Sequence, residues 1–177
     1  MVKGEHIKPL IEQKMPQALT GSRVAYDGVL CLETTPAHLT ELLRFLKEDD
    51  HLQFHFLTTI STVHYPKRAD RELFVVYHLH NWVDNIRLRV ELSVSAADPA
   101  VPSITSLWPA ANWMERQEYD FFGIQFTGHP DSRRILNVDD MDVFPLRKEY
   151  RLEDGTRTDK DDRFFGRDGH EGRSFDN

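Results

Sequence analysis

The stretch from Ile86 to Val94 alternates without a break. Ile86, Leu88, Val90, Leu92 and Val94 point one way, and Arg87, Arg89, Glu91 and Ser93 the other. A period of two marks a strand with one face that must be covered and another that is at least partly wet. Leu73 to His80 can pair with it antiparallel across the loop from Asn81 to Asn85. Gln53 to Tyr65 predicts a further strand, and Ser22 to Leu32 another, with Val24, Tyr26, Leu30 and Leu32 on one side.

The apolar spacing changes to that of a helix in two places. From His6 to Leu19, the side chains of Ile7, Leu10, Ile11 and Met15 share a stripe, with Pro9 tolerable in the first turn and Pro16 near the end. Thr35 and Pro36 open a second helix whose apolar face is Leu39, Leu42, Leu43 and Leu46, and Asp49-Asp50 breaks it. Helices falling before, between and after runs of strands predict an α+β fold, a mostly antiparallel sheet packed by helices on one side. Residues 1–146 make one such domain, with no internal repeat. In residues 147–177 more than half of the side chains are charged, Leu152 is the only aliphatic one, and Tyr150, Phe164, Phe165 and Phe175 are the aromatics. Such a segment cannot offset its ordering entropy by folding alone. It is either a solubilising tail or an extended C-terminal arm that orders along a partner, with Phe164-Phe165 as anchor and Arg147-Lys148 at its root.

Composition excludes several kinds of chemistry. A net charge of −7 with no basic stripe disfavours a nucleic-acid surface. No apolar run approaches the ~20 residues that cross a bilayer. Met1 to His6 has neither the apolar core of a secretory signal nor the Arg-rich character of a transit peptide. Cys31 is the single cysteine, so neither an internal disulfide nor a self-contained iron–sulfur cluster, which needs four thiolates, is expected. No Gly-rich loop offers a nucleotide or flavin cradle. His78 and His80 alternate to one side of a strand and could share a metal with His64, but the spacing is a weak signal. Glu115 and Glu118 could form an acid/base pair, although with Arg116 beside them an ion-pair network is the commoner arrangement. No serine or cysteine has a nucleophile's context.

The densest segment runs from Asn112 to Leu136. Asn112 and Glu115 have the spacing of a capping box. Gly123 suits the left-handed residue after a helix end, where a Schellman closure would bring Tyr119 against Ile124. Gly128-His129-Pro130-Asp131 reads as a turn. Arg116 and Asp120, four apart, share a helix face. The segment is either an amphipathic helix with core aromatics and solvated charges, or a contact element buried against another protein.

Glu115-Arg116-Gln117-Glu118-Tyr119-Asp120-Phe121-Phe122-Gly123-Ile124, then Phe126, then Gly128-His129-Pro130-Asp131 and Arg133-Arg134-Ile135-Leu136, closely resembles the signature of the 30 kDa (C) subunit of NADH-quinone oxidoreductase, respiratory complex I. Pro145-Leu146-Arg147-Lys148 resembles that family's second marker, and weaker similarity reaches back to Val63-His64-Tyr65-Pro66. Gln117, Ser132 and His64 depart from the pattern, where Glu, Leu and Asp are usual.

The resemblance implies a peripheral structural subunit of the complex's hydrophilic arm, on the cytoplasmic side of the inner membrane and associated with the membrane only through its partners. It further implies a place beside the quinone-site (D) subunit, near the B and I subunits, with FMN, iron–sulfur clusters and quinone held by those neighbours and no cofactor or catalytic residue in this chain. It favours the arm over the tail. It makes Glu115, Arg116, Asp120, Phe121, Gly123, Gly128, His129, Pro130, Arg133, Arg134, Pro145, Leu146, Arg147, Lys148, Phe164 and Phe165 the expected contacts with neighbouring subunits. Alternatives are the equivalent subunit of a photosynthetic dehydrogenase, a membrane-bound hydrogenase or a coenzyme F420-dependent complex. More distant is a small metal-binding hydrolase built on His64, His78 and His80.

Overall fold

The computed structural model describes residues 6–150. In chain order the elements are α1 (Ile7–Lys14), β1 (Gly21–Val24), β2 (Leu30–Glu33), α2 (Pro36–Glu48), β3 (Phe56–His64), β4 (Leu73–Asn81), β5 (Ile86–Val94), β6 (Ala100–Pro102), α3 (Ala111–Phe122) and β7 (Gln125–Thr127). The main sheet has the order β1-β2-β5-β4-β3, antiparallel except between β2 and β5. This is the expected α+β architecture.

Strand β5 sits at the centre because its apolar side chains can be covered along their whole length. Val90 lies between Tyr77 of β4 and Leu32 of β2, and Leu88 between Leu79 and Leu30. All five apolar residues of β5 are buried. Over them pack Leu39, Leu42, Leu43 and Leu46 of α2 and Ile7 and Ile11 of α1. Each such side chain leaving water contributes about 1.5–3 kcal/mol, so α2 is held by its apolar face rather than by propensity. Lys14 ties α1 to the end of α2 through Asp49 at 2.7 Å.

The opposite face is drier than alternation suggests. Glu91 is 2% exposed because Arg23 on β1 grips its carboxylate with bonds of 2.9 and 2.7 Å. Arg89 pairs likewise with Asp27. Cys31 is buried there, and burial together with the Glu91 charge pushes its thiol above the ordinary range.

Three boundaries differ from the sequence expectation. The single strand expected over residues 22–32 is a hairpin, β1 and β2, closed by Gly28 N–H donating to the Ala25 carbonyl at 2.9 Å with Gly28 at φ 78°. Alternation ran through the turn because the turn preserves its parity, leaving Tyr26 fully exposed. Helix α1 ends at Lys14 rather than near Leu19, and β3 begins at Phe56, after Gln53 has turned to φ 45°.

Strands β6 and β7 form a small parallel sheet, with Val101 opposite Phe126, and α3 is the crossover between them. This anchors both ends of α3 while its flank packs on β3. At that contact the Tyr77 hydroxyl is fully buried and, like Thr62 Oγ1 and Glu118 Oε2, has no hydrogen-bond partner among the described residues. Burial, aided by the Glu115 and Glu118 charges, pushes the phenol well above its ordinary value. Removing an unpaired buried hydroxyl costs no hydrogen bond. Tyr77→Phe is therefore expected to leave the thermal midpoint unchanged or to raise it, by up to about 1 kcal/mol of stability; a loss of stability on thermal denaturation would show that the hydroxyl is satisfied.

Candidate functional site

Helix α3 carries the signature, and its start is not the expected capping box. The chain enters through a turn at Ile104–Trp108, and Ala110 at the N-cap position makes no side-chain bond. Asn112 is already helical, and Glu115 points away from it into the domain. Its Oε1 accepts the Ile104 amide and its Oε2 the Ser103 hydroxyl, both at 2.7 Å. Glu118 is also buried, with Oε1 accepting from Gln117 at 3.3 Å. Neither glutamate belongs to the ion-pair network expected from their spacing with Arg116.

Burial pushes the Glu115 carboxyl up to about 7, against the pull of the Ile104 amide and the Ser103 hydroxyl, with His129 Nε2 3.9 Å from its Oε2. Glu118 is raised for the same reason. A carboxyl whose folded value exceeds its unfolded one favours the fold most below the unfolded value. That contribution is lost as pH climbs from about 4.5 through about 7. Glu115→Gln keeps the acceptor for the Ile104 amide and has no proton to lose. Its stability is expected to decline less than wild type's across this window, by on the order of 3 kcal/mol, as read from urea midpoints at several pH values; parallel curves would refute the assignment.

The helix ends as expected at Gly123, φ 76°, although the closure is the simpler αL form: the Gly123 amide donates to the Tyr119 carbonyl at 2.8 Å. The Tyr119 ring makes its edge contact with Phe144, 6.1 Å between centroids, a residue that sequence spacing did not single out.

Asp120 is the hub of the site. It does not pair with Arg116. Its Oδ2 accepts the backbone amides of Ile135, Leu136 and Asn137 at 3.1, 2.7 and 2.9 Å. Its Oδ1 accepts Arg134 Nη1 at 2.7 Å and Asn137 Nδ2 at 3.1 Å. Burial alone would raise this carboxyl, but the Asn137 and Leu136 amides, the Arg134 guanidinium and the Asn137 carboxamide together hold it well below the usual carboxylate range. Arg134 in turn donates through Nη2 to the carbonyls of Met141 and Val143 at 2.6 and 3.1 Å.

Residues 128–150 have no helix or strand, yet side chains bind them to α3. Arg116 donates to the carbonyls of Arg133 and Arg134, both at 2.9 Å, with Asp131 3.7 Å away. His129 Nδ1 accepts the Asp131 amide at 2.9 Å, so its proton sits on Nε2, which reaches the Asn112 carbonyl at 3.1 Å. Arg147 donates to the Phe122 carbonyl at 2.7 Å and lies 4.8 Å over the Phe144 ring. The Lys148 amide donates to His64 Nδ1 at 2.9 Å.

The expected contact residues therefore divide. Glu115, Asp120 and Gly123 are buried within this chain, and Arg116, Phe121, His129, Arg134 and Arg147 are largely covered by it. Gly128, Pro130, Arg133, Leu146 and Lys148 are exposed, and Pro145 is half-buried. Phe164 and Phe165, with most of the arm, lie outside the described residues. Asn137, Phe144, Ser103 and Ile104 complete this frame, and no periodic or motif signal marks them in the sequence. Outward from this frame stand Trp113, Leu136 and Val138, each more than 60% exposed.

The histidine metal site is not assembled. His64 sits opposite Leu73 and His78 opposite Thr59, five residues along the strands, roughly 16 Å. His80 Nε2 is 3.1 Å from Asn85 Oδ1. Among the described residues no three His, Cys, Asp or Glu side chains converge as metal ligands, and no helix is long and apolar enough to cross a membrane.

The chain is 44% identical over 138 residues to the C subunit of NADH-quinone oxidoreductase from Azorhizobium caulinodans, covering 78% of this chain and 64% of that protein. With its counterpart from Roseiflexus castenholzii it is 41% identical over 142 residues, 80% of each. The trypsin-resistant fragment of Nqo5 superposes with a TM-score of 0.59 at 30% identity, over 71% of this chain and 98% of that one. A chain of the membrane-bound sulfane sulfur reductase, an archaeal respiratory membrane complex, shares the fold with a TM-score of 0.71 at 24% identity, over 99% and 98% of the two chains. Residues 32–156 match the family model of the respiratory-chain NADH dehydrogenase 30 kDa subunit. That match runs from within β2 past α3 and the irregular strap of residues 128–150 bound to it, and the chain belongs to this family.

Proposed function

We propose that this chain is a structural subunit of the hydrophilic arm of a proton-translocating NADH-quinone oxidoreductase. In this reading it docks beside the quinone-site (D) subunit and near the cluster-bearing B and I subunits, peripheral to the membrane on its cytoplasmic side. Flavin, clusters and quinone belong to those neighbours, and this chain contributes shape and rigidity to electron transfer from NADH to quinone.

One observation supports the reading above the rest. Arg116, Asp120 and Arg134 of the signature, with Arg147, turn inward and bind the irregular strap of residues 128–150 to α3. The same frame leaves Trp113 and Leu136 in solvent. A rigid aromatic and aliphatic surface loses little entropy on binding, which is what a permanent interface favours. The test is purification of the native chain from membranes in mild detergent. NADH-oxidising, cluster-bearing and membrane subunits are expected to accompany it; elution of the chain alone from intact membranes would overturn the proposal.

A further inference from the structure

Residues 136–142 read Leu-Asn-Val-Asp-Asp-Met-Asp. Their backbone is pinned at both ends by buried groups. At one end Asp120 accepts the Leu136 and Asn137 amides, and at the other Arg134 donates to the carbonyls of Met141 and Val143. Between these anchors the Met141 amide closes a turn onto the Val138 carbonyl at 3.2 Å. A loop fixed this firmly would be expected to turn its apolar side chains inward. Instead Leu136 and Val138 are 64% and 63% exposed, and Asp139, Asp140 and Asp142 are exposed around them. The cation beside them, Arg133, is already bonded to Asp131 through Nε and Nη2, both at 2.9 Å. The loop thus offers two fixed aliphatic side chains inside a rim of carboxylates that form no ion pair among the described residues.

We propose that residues 136–142 form a docking loop that seats Leu136 and Val138 in an apolar groove of a neighbouring subunit rimmed by lysine and arginine. This rests on the reading of the chain as one component of a larger assembly and adds the chemistry of the surface it meets. Charge selects the occupant. A second copy of this chain would bring the same carboxylates against themselves, and an anionic membrane surface would repel them, whereas a basic rim complements them. The aliphatic pair supplies the contact that water is excluded from, and the aspartates steer and orient it.

The test uses the intact complex, assembled with wild type, with the triple variant D139N/D140N/D142N, or with L136S/V138S. All five positions are at the surface and the backbone anchors remain, so each variant should keep the thermal midpoint of the isolated wild-type chain. The readout is retention of the chain on the complex at low and at high salt. Wild type is expected to be held less firmly at high salt. The triple variant should be held roughly tenfold more weakly at low salt and lose most of the salt dependence. The serine variant should weaken about tenfold at both salts. Retention of either variant at wild-type levels in both conditions overturns the docking loop while leaving the assembly reading intact; a wild-type chain that does not hold to the complex at all overturns both.

Discussion

Asp120→Ala will lower the thermal midpoint of the isolated chain by about 10 °C or more. The carboxylate is fully buried, and its removal strands a guanidinium that is itself 8% exposed, together with three backbone amides and the Asn137 carboxamide. Breaking one side of a buried, hydrogen-bonded ion pair costs about 3–5 kcal/mol, and in a chain of this size each kcal/mol moves the midpoint by about 2–4 °C. Arg134→Ala should cost less, because the Asp120 carboxylate keeps four donors while the backbone carbonyls of Asp120, Met141 and Val143 lose theirs. The pH dependence carries the same signature. Asp120's folded value lies below its unfolded one, so its stabilisation is complete above about pH 4 and is lost as pH falls further. Asp120→Ala should lack this acid decline. A midpoint within about 2 °C of wild type, or a larger loss in Arg134→Ala, would contradict the hub role.

The same mutation bears on assembly. Leu136 and Val138 reach solvent on a backbone that Asp120 and Arg134 fix. Loss of the pair would loosen the surface that a neighbour meets, so the chain should bind its partners more weakly even at temperatures where the sheet is intact. This separates two roles that a charged motif can play, contact and scaffolding. The inward turn of Glu115 and Asp120 assigns them to scaffolding.

What could be read from the chain alone follows from where the physics is local. Strand β5 and helix α2 were legible because burial of a regular element imposes a period, and the alternation of Ile86 to Val94 and the leucine stripe of α2 record it. The β1–β2 turn was missed although Asp27-Gly28 is a strong turn signal, because even spacing on both sides preserved the alternation through it. Gly123 was legible since a left-handed helix end has one favoured residue.

The wiring of the site was not legible, because its partners are distant in sequence. Local spacing offered Asn112 to Glu115 and Arg116 to Asp120, but Glu115 found Ser103 and Ile104 in the β6–α3 connection, and Asp120 found Arg134 in an irregular strap beyond β7. Phe144 and Asn137 sit where no secondary structure imposes a period. The departure at His64 acquires a physical reading once the strap is placed: the position needs an acceptor for the Lys148 amide, and an imidazole nitrogen supplies one.

Gly123→Ala tests how tightly the strap is closed on α3. At φ 76° an alanine costs about 1–2 kcal/mol in the backbone alone. Its Cβ would also stand 2.5 Å from Phe144 Cε2 and 2.8 Å from Arg147 Nη2. Phe144 has little room to yield, with the Tyr119 ring against it and the guanidiniums of Arg134 and Arg147 at 5.3 and 4.8 Å from its centre. Overpacking of this kind adds about 1–3 kcal/mol, so the variant should lose about 2–5 kcal/mol in all. Gly128→Ala is the control. It has nearly the same backbone, φ 85°, and open space where the methyl would go, so it should lose only the backbone part. Trypsin should then cut after Arg147 and Lys148 faster in Gly123→Ala than in Gly128→Ala, because displacing Phe144 frees the Arg147 bond to the Phe122 carbonyl. Equal midpoints and equal cleavage in the two variants would mean that the strap is not wedged on this glycine.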